Sequence, residues 1–321
     1  MNNIIKGKVA IIGAGAVGST AAYAILTRGV ASEIILFDIN KDLAEGEAMD
    51  LAQGASFVKP TKIYAGSYED CAGAEIVVIT AGAAQKEGET RLDLVEKNIN
   101  VMKDIVSNLI KHCPESIYLL VTNPVDILTY VVYKLSGLPA GKVIGSGTVL
   151  DSSRFRHLLS QHCNVDARNV HAYVLGEHGD SEVLAWSTAN VAGIPVDKFC
   201  KECVREQLEN DWHQEITTKV VRAAYEIIER KGATYFAIGL GITRIIEAIL
   251  RSERSVLTVS TLVNGHFGIN DICLSLPCIV DGSGVAEVLN VPISDREIDK
   301  LKKSASTLKE ILKPFEGSLT L

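Results

Sequence analysis

Residues 8–18 read KVAIIGAGAVG, a short apolar run followed by three glycines in the spacing Gly-x-Gly-x-x-Gly. The run Lys8–Ile12 is typical of a buried strand, and the residues after the last glycine have the spacing of an amphipathic helix. In such a unit Gly13 permits a tight turn, Gly15 lets another group approach the backbone, and Gly18 allows close packing of helix on strand. The stretch therefore predicts a strand–turn–helix unit whose helix N-terminus binds the phosphates of a dinucleotide.

A second predicted strand, Glu33–Asp38, ends in a carboxylate 20 positions after Gly18. A carboxylate at this place accepts hydrogen bonds from the adenosine ribose and repels a 2′-phosphate. The residues that follow, Ile39 and Asn40, provide no arginine to bind such a phosphate. The pattern predicts NAD rather than NADP, and the weaker alternative is a glycine turn beside an unrelated surface aspartate.

The rest of the first half continues to alternate strands with helices. Helices are predicted to about Arg28 and over Lys41–Gln53 and Leu92–His112, and strands over Ile76–Thr80 and Ile117–Val121. Such alternation is typical of parallel pairing. We therefore expect an α/β fold in which residues 1–145 form a Rossmann-type, doubly wound parallel sheet that binds NAD.

After about Gly145 the pattern changes to a mixture of helices and strands. The predicted helices are Ser152–His162, Glu215–Lys231 and Thr234–Arg251, and the predicted strands are Val170–Leu175, Ser255–Val263 and Ile272–Ile279. Residues 146–321 are expected to form an α+β substrate domain. No long linker separates the halves, so the active site is expected between them.

Composition excludes several classes of function. The 321 residues are 47% hydrophobic and 22% charged, with a formal net charge of −7, which is typical of a folded protein that does not use nucleic acid as its main partner. No apolar stretch reaches the length of a membrane span, and the N-terminus lacks the features of a secretory signal. A cytoplasmic protein without a membrane or nucleic-acid partner is expected.

Seven cysteines at scattered spacing indicate free thiols in a reducing compartment. Cys200 and Cys203 form a Cys-x-x-Cys, but a structural zinc site would need a second pair of ligands. No metal site is predicted, and an enzyme that depends on zinc or on these thiols is the weaker alternative.

Polar residues gather where the predicted buried strands end. Residues 81–92 (AGAAQKEGETRL) leave one strand, and residues 123–126 (NPVD) follow the next. The second half contains LDSSR, with Asp151 and Arg154, and GEHGD, in which glycines flank His178. Carboxyl ends of parallel strands share one edge of a sheet, so these segments are candidates for a single site.

Together with the glycine motif, the segments AGAAQKEGETRLDLVEKN, NPVDIL, LDSSRFR and GEHGDS resemble the lactate/malate dehydrogenase family over essentially the whole chain. The resemblance implies that His178 is the acid/base, that Asp151 orients it, and that Arg154 binds the substrate carboxylate. It also implies that Arg91 polarises the ketone oxygen. These roles fit the chemistry of an imidazole that titrates near neutral pH and of guanidinium groups that bind carboxylates in a bidentate manner.

The resemblance further implies residues that line the substrate and cofactor sites. Asn123 and Thr234 are expected in the substrate pocket. The expected contacts to NAD are Gly13, Gly15, Val17, Gly18, Asp38, Tyr68, Gly82, Ala83, Val121, Asn123 and Ser146.

Gln85 distinguishes the two substrate classes of the family. In the malate dehydrogenases the matching position is an arginine that pairs with the second carboxylate of oxaloacetate, whereas Gln85 is neutral. An unpaired buried charge is costly, so the resemblance favours pyruvate and L-lactate. The neighbouring Lys86 is the residue that would weaken this preference. A malate or broader 2-hydroxyacid dehydrogenase, and a non-catalytic NAD-binding protein on the same fold, remain the alternatives.

Arg156 and His171 match positions that, in bacterial members, bind the activator fructose 1,6-bisphosphate at a subunit interface. The resemblance also implies a homotetramer, in which symmetry would pair these cations. The alternative is an ordinary helix arginine and an exposed histidine. One departure from many bacterial relatives is Leu43, where they carry a lysine near the adenosine side of NAD.

Overall fold

The protein is described by a computed structural model over residues 7–83, 91–199 and 212–319. The helices in these ranges are α1 (Ala16–Arg28), α2 (Lys41–Gln53), α3 (Arg91–His112), α4 (Val125–Ser136), α5 (Val149–His162), α6 (Val196–Phe199), α7 (Trp212–Lys231), α8 (Phe236–Leu250) and α9 (Asp295–Leu312).

The strands of the first half are β1 (Lys8–Ile12), β2 (Glu33–Phe37), β3 (Lys62–Ala65), β4 (Ile76–Ile79), β5 (Ile117–Leu120) and β6 (Val143–Gly145). Those of the second half are β7 (Val170–His171), β8 (Val174–Leu175), β9 (Val183–Leu184), β10 (Asn190–Val191), β11 (Ile194–Pro195), β12 (Ser255–Asn264), β13 (Asn270–Asp281) and β14 (Gly284–Val288).

The central sheet has nine strands in the order β14-β13-β12-β6-β5-β4-β1-β2-β3. Strands β1 to β6 pair in parallel, in the order 3-2-1-4-5-6 of a dinucleotide-binding sheet. The order reverses between β1 and β4, which opens a crevice at the carboxyl ends of these strands. The predicted fold class is confirmed.

Both faces of the parallel sheet are covered, which explains why its strands are apolar at nearly every position. In β1, Val9 and Ile11 pack into one buried cluster with α1 and α8, whereas Ala10 and Ile12 pack into another with α3 and α4. All four side chains are at most 1% exposed. The sheet is therefore a rigid base for the loops at its carboxyl edge.

The second half adds β12, β13 and β14 to the central sheet, and its remaining strands form two small antiparallel sheets, β11-β10-β7 and β8-β9. β12 pairs antiparallel with β6 where Ser260 lies opposite Gly145. A Cβ on Gly145 would lie 2.9 Å from the Cβ of Ser260 and 2.4 Å from Oγ1 of Thr129. The missing side chain lets the two halves approach closely.

Several elements differ from the sequence-based prediction. The predicted strand Val170–Leu175 is divided into β7 and β8, which join different partners. Helix α4 was not predicted because it is buried on nearly every side and shows no polar face. Helix α9 was also not predicted, although the capping box of Ser294 and Glu297 marks its start.

No helix in the described part of the chain is long and apolar enough to cross a membrane.

Candidate active site

Each glycine of the phosphate-binding motif has its own steric reason for lacking a side chain. Gly13 has a φ of 109°, and a Cβ there would lie 2.6 Å from the backbone nitrogen of Ala81. A Cβ on Gly18 would lie 1.9 Å from the carbonyl oxygen of Gly13. Gly15 has open space around its Cβ position and is the N-cap of α1, with no side-chain cap. A phosphate can therefore reach the free N–H groups of α1 at Gly15.

Asp38 lies directly after β2, and its carboxylate is fixed by backbone donors. Its Oδ2 accepts a hydrogen bond from the backbone N–H of Ala14 at 2.8 Å, and its Oδ1 accepts one from Asn40 at 2.9 Å. The rings of Phe37 and Tyr68 lie 4.4 Å apart beside it. The arrangement fits an adenosine whose ribose binds the carboxylate.

The loops that follow β4 and β5 are joined by Asn98 of α3, whose side chain is fully buried. Its Oδ1 accepts a hydrogen bond from the backbone N–H of Ala83 at 2.7 Å, and its Nδ2 donates to the carbonyl of Asn123 at 3.1 Å. A Cβ on Gly82 would lie 2.2 Å from Cγ2 of Thr122. Asn98 was not predicted, because one polar residue within a long helix carries no local signal of such a role.

Connected cavities run along this edge of the sheet. One of about 630 Å³ is lined by Gly13, Gly15, Asp38, Tyr68, Gly82 and Ala83, among others. The next, of about 520 Å³, is lined by Val17, Gly82, Ala83, Val121, Asn123, Ser146, Arg154, His178 and Thr234, among others. A third, of about 390 Å³, adds Asp151 and Glu182. The described residues predicted to bind the cofactor and the substrate thus lie along cavities that share lining residues, with Gly18 buried beneath them.

His178 lies on the loop after β8, which three other elements hold in place. Gly176 exchanges backbone hydrogen bonds of 2.9 Å with Ser275 of β13. The backbone N–H of Glu177 donates to Ser304 Oγ in α9 at 2.9 Å. The N–H of His178 donates to the Asp126 carboxylate at 2.7 Å. The loop therefore presents the imidazole with its backbone fixed.

Asp151, in the first turn of α5, connects the imidazole to a guanidinium. Its Oδ2 lies 2.5 Å from Nδ1 of His178, and its Oδ1 accepts a hydrogen bond from Arg154 Nη1 at 2.6 Å. The exposed fractions of the Asp151 and Arg154 side chains are 2% and 14%, so this ion pair is largely shielded from solvent. With Nδ1 engaged, Nε2 is the ring nitrogen left for a substrate.

The electrostatics of this couple favour the imidazolium form. Burial lowers the pKa of His178, but the carboxylate of Asp151, together with Asp126 and Glu182, outweighs burial and raises that pKa to about 9. Burial raises the pKa of Asp151, yet His178 and Arg154 hold it below its ordinary value. The Asp151 carboxylate thus favours the protonated form of His178.

Two carboxyl groups of the site were not identified from the sequence. Asp126, in the first turn of α4, is 2% exposed, and burial raises its pKa to about 6. Glu182 lies four residues after His178, and burial raises its pKa to about 9. Asp126 stands in the NPVD segment and Glu182 follows GEHGDS, so proximity to known motifs was the only available signal.

Some predicted residues fall outside what the structure describes. Gln85 lies outside the described residues, as do Cys200 and Cys203. Arg91 is the first residue of α3, and only its backbone is described. The roles expected for Gln85 and Arg91 stay predictions.

Arg156 and His171 lie on adjoining elements, away from the cleft. Nε of Arg156, on α5, donates to the carbonyl of Ala172 at 2.9 Å, directly after β7. Its guanidinium lies 5.3 Å from the ring centroid of Tyr173. His171 is exposed in β7. Arg156 thus contacts the backbone of the residue that directly follows His171.

Comparison with known proteins identifies the family. Residues 7–145 match the model of the lactate/malate dehydrogenase NAD binding domain, and residues 148–317 match that of the lactate/malate dehydrogenase α/β C-terminal domain. The chain is 58% identical to the L-lactate dehydrogenase of Acetivibrio thermocellus, covering 98% of this chain and 99% of that protein. It is 53% identical to L-lactate dehydrogenase 1 of Clostridium acetobutylicum, with 95% and 97% covered.

Solved structures agree with this result. The minor L-lactate dehydrogenase from Enterococcus mundtii, in a ligands-bound form, superposes with a TM-score of 0.93 at 44% identity, covering 97% of this chain and 98% of that chain. A lactate dehydrogenase from a deep-sea metagenome library superposes with a TM-score of 0.90 at 42% identity, with 97% and 99% covered. The chain belongs to the lactate/malate dehydrogenase family, with NAD as its cofactor.

Proposed function

We propose that the protein is an NAD-dependent L-lactate dehydrogenase, which interconverts pyruvate and L-lactate. The observation that supports this most strongly is the contact of Asp151 with both His178 and Arg154 in a cleft continuous with the glycine loop. An acid/base and a carboxylate-binding cation then face one small ligand. The names of the relatives support the same activity.

In the proposed mechanism each side chain has one task. The glycine loop and Asp38 would hold NADH, which would supply a hydride for C2 of pyruvate. The His178 imidazolium donates its Nε2 proton to the ketone oxygen, and Asp151 keeps the ring oriented through Nδ1. Arg154 binds the substrate carboxylate, and Arg91 stabilises the charge that develops on the oxygen. In lactate oxidation the neutral imidazole accepts the hydroxyl proton.

The apolar wall of the cleft supports a substrate with one carboxylate. Val221, Ala224 and Ile228 of α7 line the cavity that contains His178 and Arg154. None of these three side chains can pair with a second carboxylate. Together with the neutral Gln85 of the sequence, this favours pyruvate over oxaloacetate.

Steady-state oxidation of NADH with pyruvate and with oxaloacetate tests the assignment. We expect a higher kcat/KM for pyruvate, by a factor on the order of 100 or more. The variant Gln85→Arg is expected to raise the ratio of oxaloacetate to pyruvate kcat/KM, whereas Lys86→Gln, which removes the neighbouring cation, is expected to lower or keep it. An unchanged ratio in Gln85→Arg would show that the loop assignment is wrong. Wild-type preference for oxaloacetate would identify a malate dehydrogenase.

Regulation, assembly and location are further parts of the proposal. We propose a cytoplasmic homotetramer in which residues 1–145 and 146–321 are the cofactor and substrate domains. Fructose 1,6-bisphosphate would bind Arg156 and His171 at a subunit interface, and the contact of Arg156 with the backbone next to His171 supports this. Sedimentation and pyruvate saturation curves with and without the bisphosphate test it. A saturation curve that the bisphosphate leaves unchanged at pH 6 and pH 7.5 would contradict the activator site.

A further inference from the structure

The cleft contains a carboxyl group, Glu182, to which the proposed mechanism gives no task. One ligand-type side-chain atom each of Asp151, His178 and Glu182 lies within 4.8 Å of the other two. Both oxygens of Asp151 have a donor, from His178 and from Arg154. Oε1 of Glu182 is buried, and no described residue donates a hydrogen bond to it. Two carboxyl groups thus lie in one site, but Asp151 has hydrogen-bond donors on both oxygens, whereas Oε1 of Glu182 has none among the described residues.

This environment disfavours the charged form of Glu182. An ionised carboxylate without a donor in a buried place is costly, and a second negative charge beside it adds repulsion. Burial, and then the Asp151 carboxylate, raise the pKa of Glu182 to about 9, while His178 and Arg154 act in the other direction. Glu182 is therefore protonated at neutral pH.

The groups that face Glu182 come from several elements. Asp151 and Arg154 belong to α5, and His178 and Asp180 belong to its own loop. Helix α7 contributes apolar side chains and Tyr225, whose hydroxyl donates to Asp180 at 2.9 Å. Ionisation of Glu182 thus changes the field mainly at the imidazole and at Arg154.

We propose that Glu182 is a positioning residue that holds a proton at neutral pH and releases it at alkaline pH, so that its new charge then helps His178 to keep its own proton. The proposal rests on the proposed function of His178 as the acid in pyruvate reduction. In this proposal the charge of Glu182 keeps pyruvate reduction active to higher pH, and Glu182 need not touch the substrate.

The sign of the effect follows from the protonation states. Pyruvate reduction needs the imidazolium, so its rate falls as pH rises through the pKa of His178. In the wild type, Glu182 ionises in the same range and opposes this fall. In Glu182→Gln the neutral amide copies the protonated carboxyl but never becomes charged. In this variant only Asp151 and Asp126 raise the pKa of His178, so the imidazole loses its proton at lower pH.

The test is the pH profile of kcat/KM for pyruvate between pH 6 and pH 10, in the wild type, in Glu182→Gln and in Glu287→Gln. Glu287, exposed on β14, is the remote control for loss of one acidic group. At pH 6.5 we expect less than about a twofold change. The alkaline midpoint of Glu182→Gln is expected about one pH unit lower, so that kcat/KM at pH 9 falls about fivefold. Lactate oxidation, which needs the neutral imidazole, is expected to rise near pH 8.

Two outcomes would overturn the proposal. Profiles of Glu182→Gln and wild type that superimpose would show that the carboxyl does not act on His178. An equal loss at every pH, in both reaction directions, would show a packing role only.

A measurement on the wild type keeps the proposal testable if Glu182→Gln folds poorly. The infrared absorption of protonated carboxyl groups is recorded from pH 6 to pH 10, and one carboxyl is expected to lose its proton in the alkaline part of this range. Absence of such a carboxyl contradicts the proposal. If the wild type does not reduce pyruvate at all, the proposed function fails, whereas the infrared titration still tests the proton on Glu182.

Discussion

The glycine loop and the reaction cleft adjoin each other, but backbone groups form the first and charged side chains form the second. In the loop, backbone groups do the binding, and both oxygens of Asp38 accept hydrogen bonds from backbone N–H groups. In the cleft, the binding groups are buried charged side chains. Asp151 reaches His178 across 27 positions of sequence, and Asp126 reaches it across 52. The comparison indicates that steric fit controls cofactor binding, whereas charge balance controls the chemistry.

Replacing the imidazole tests whether the two regions are separable, and it has the largest expected effect. Because His178→Asn removes the proton donor and leaves the glycine loop intact, we expect kcat for pyruvate reduction to fall by about 10²- to 10⁴-fold. Affinity for NADH is expected to stay within about twofold, measured by the change in NADH fluorescence on binding.

The control for this variant is His112→Asn, at the end of α3 and remote from the cleft. We expect it to keep wild-type kcat. If His178→Asn lost NADH binding as strongly as turnover, the two regions could not be treated as separate.

Two glycine variants sharpen the steric half of the comparison. Gly18→Ala places a Cβ 1.9 Å from the carbonyl of Gly13, so the loop must move, at a cost of about 1–3 kcal/mol in the free energy of unfolding. Gly15→Ala meets open space in the protein, with a φ of −67° that alanine adopts readily. It is expected to keep wild-type stability but to weaken NADH binding about tenfold, since the methyl group occupies the phosphate approach.

Urea unfolding and NADH titration of both variants separate the two effects. Equal loss of stability in both would mean that Gly15 has a folding role instead. Equal NADH affinity of Gly15→Ala and the wild type would mean that phosphate does not approach the backbone there.

The same contrast explains what could be predicted from the sequence. The strand–glycine–helix unit is contiguous, so its residues could be recognised locally, and β1 has the predicted bounds while α1 ends at the predicted Arg28. The resemblance to known motifs then identified His178, Asp151 and Arg154. The pairing of β12 with β6 could not be read, because it depends on a close approach at Gly145, far away in sequence.

Burial was the property that the sequence did not reveal. Asn98, Asp126 and Glu182 are polar residues whose surroundings come from remote elements. Their spacing resembles that of ordinary solvent-facing residues, so no periodic pattern marked them. Only the packing of α3, α4 and α5 against the sheet shows that they lie near the reaction cleft.

Asp126 provides the most direct test of charge balance in the cleft, and its expected effect on activity is the smallest. Its Oδ2 accepts the N–H of His178, and the hydroxyl of Ser260 also acts to lower its pKa. Burial raises its pKa to about 6. An acid whose pKa is higher in the folded state binds more protons when folded, so its contribution to stability falls as pH rises from about 4 to about 6. In Asp126→Asn this fall is absent, and the amide oxygen can still accept the N–H of His178.

We therefore expect Asp126→Asn to gain stability relative to the wild type between pH 4.5 and pH 7, by at most about 3 kcal/mol in the free energy of unfolding. Urea unfolding of both proteins at the two pH values measures this. Loss of one negative charge near His178 is also expected to lower the alkaline midpoint of pyruvate reduction by a fraction of a pH unit. A stability difference that does not change with pH would mean that the Asp126 carboxylate is fully solvated or paired. Asp126 would then be as well stabilised in its charged form as Asp38 is in the glycine loop. The contrast between the two regions would depend on His178 and Asp151 alone.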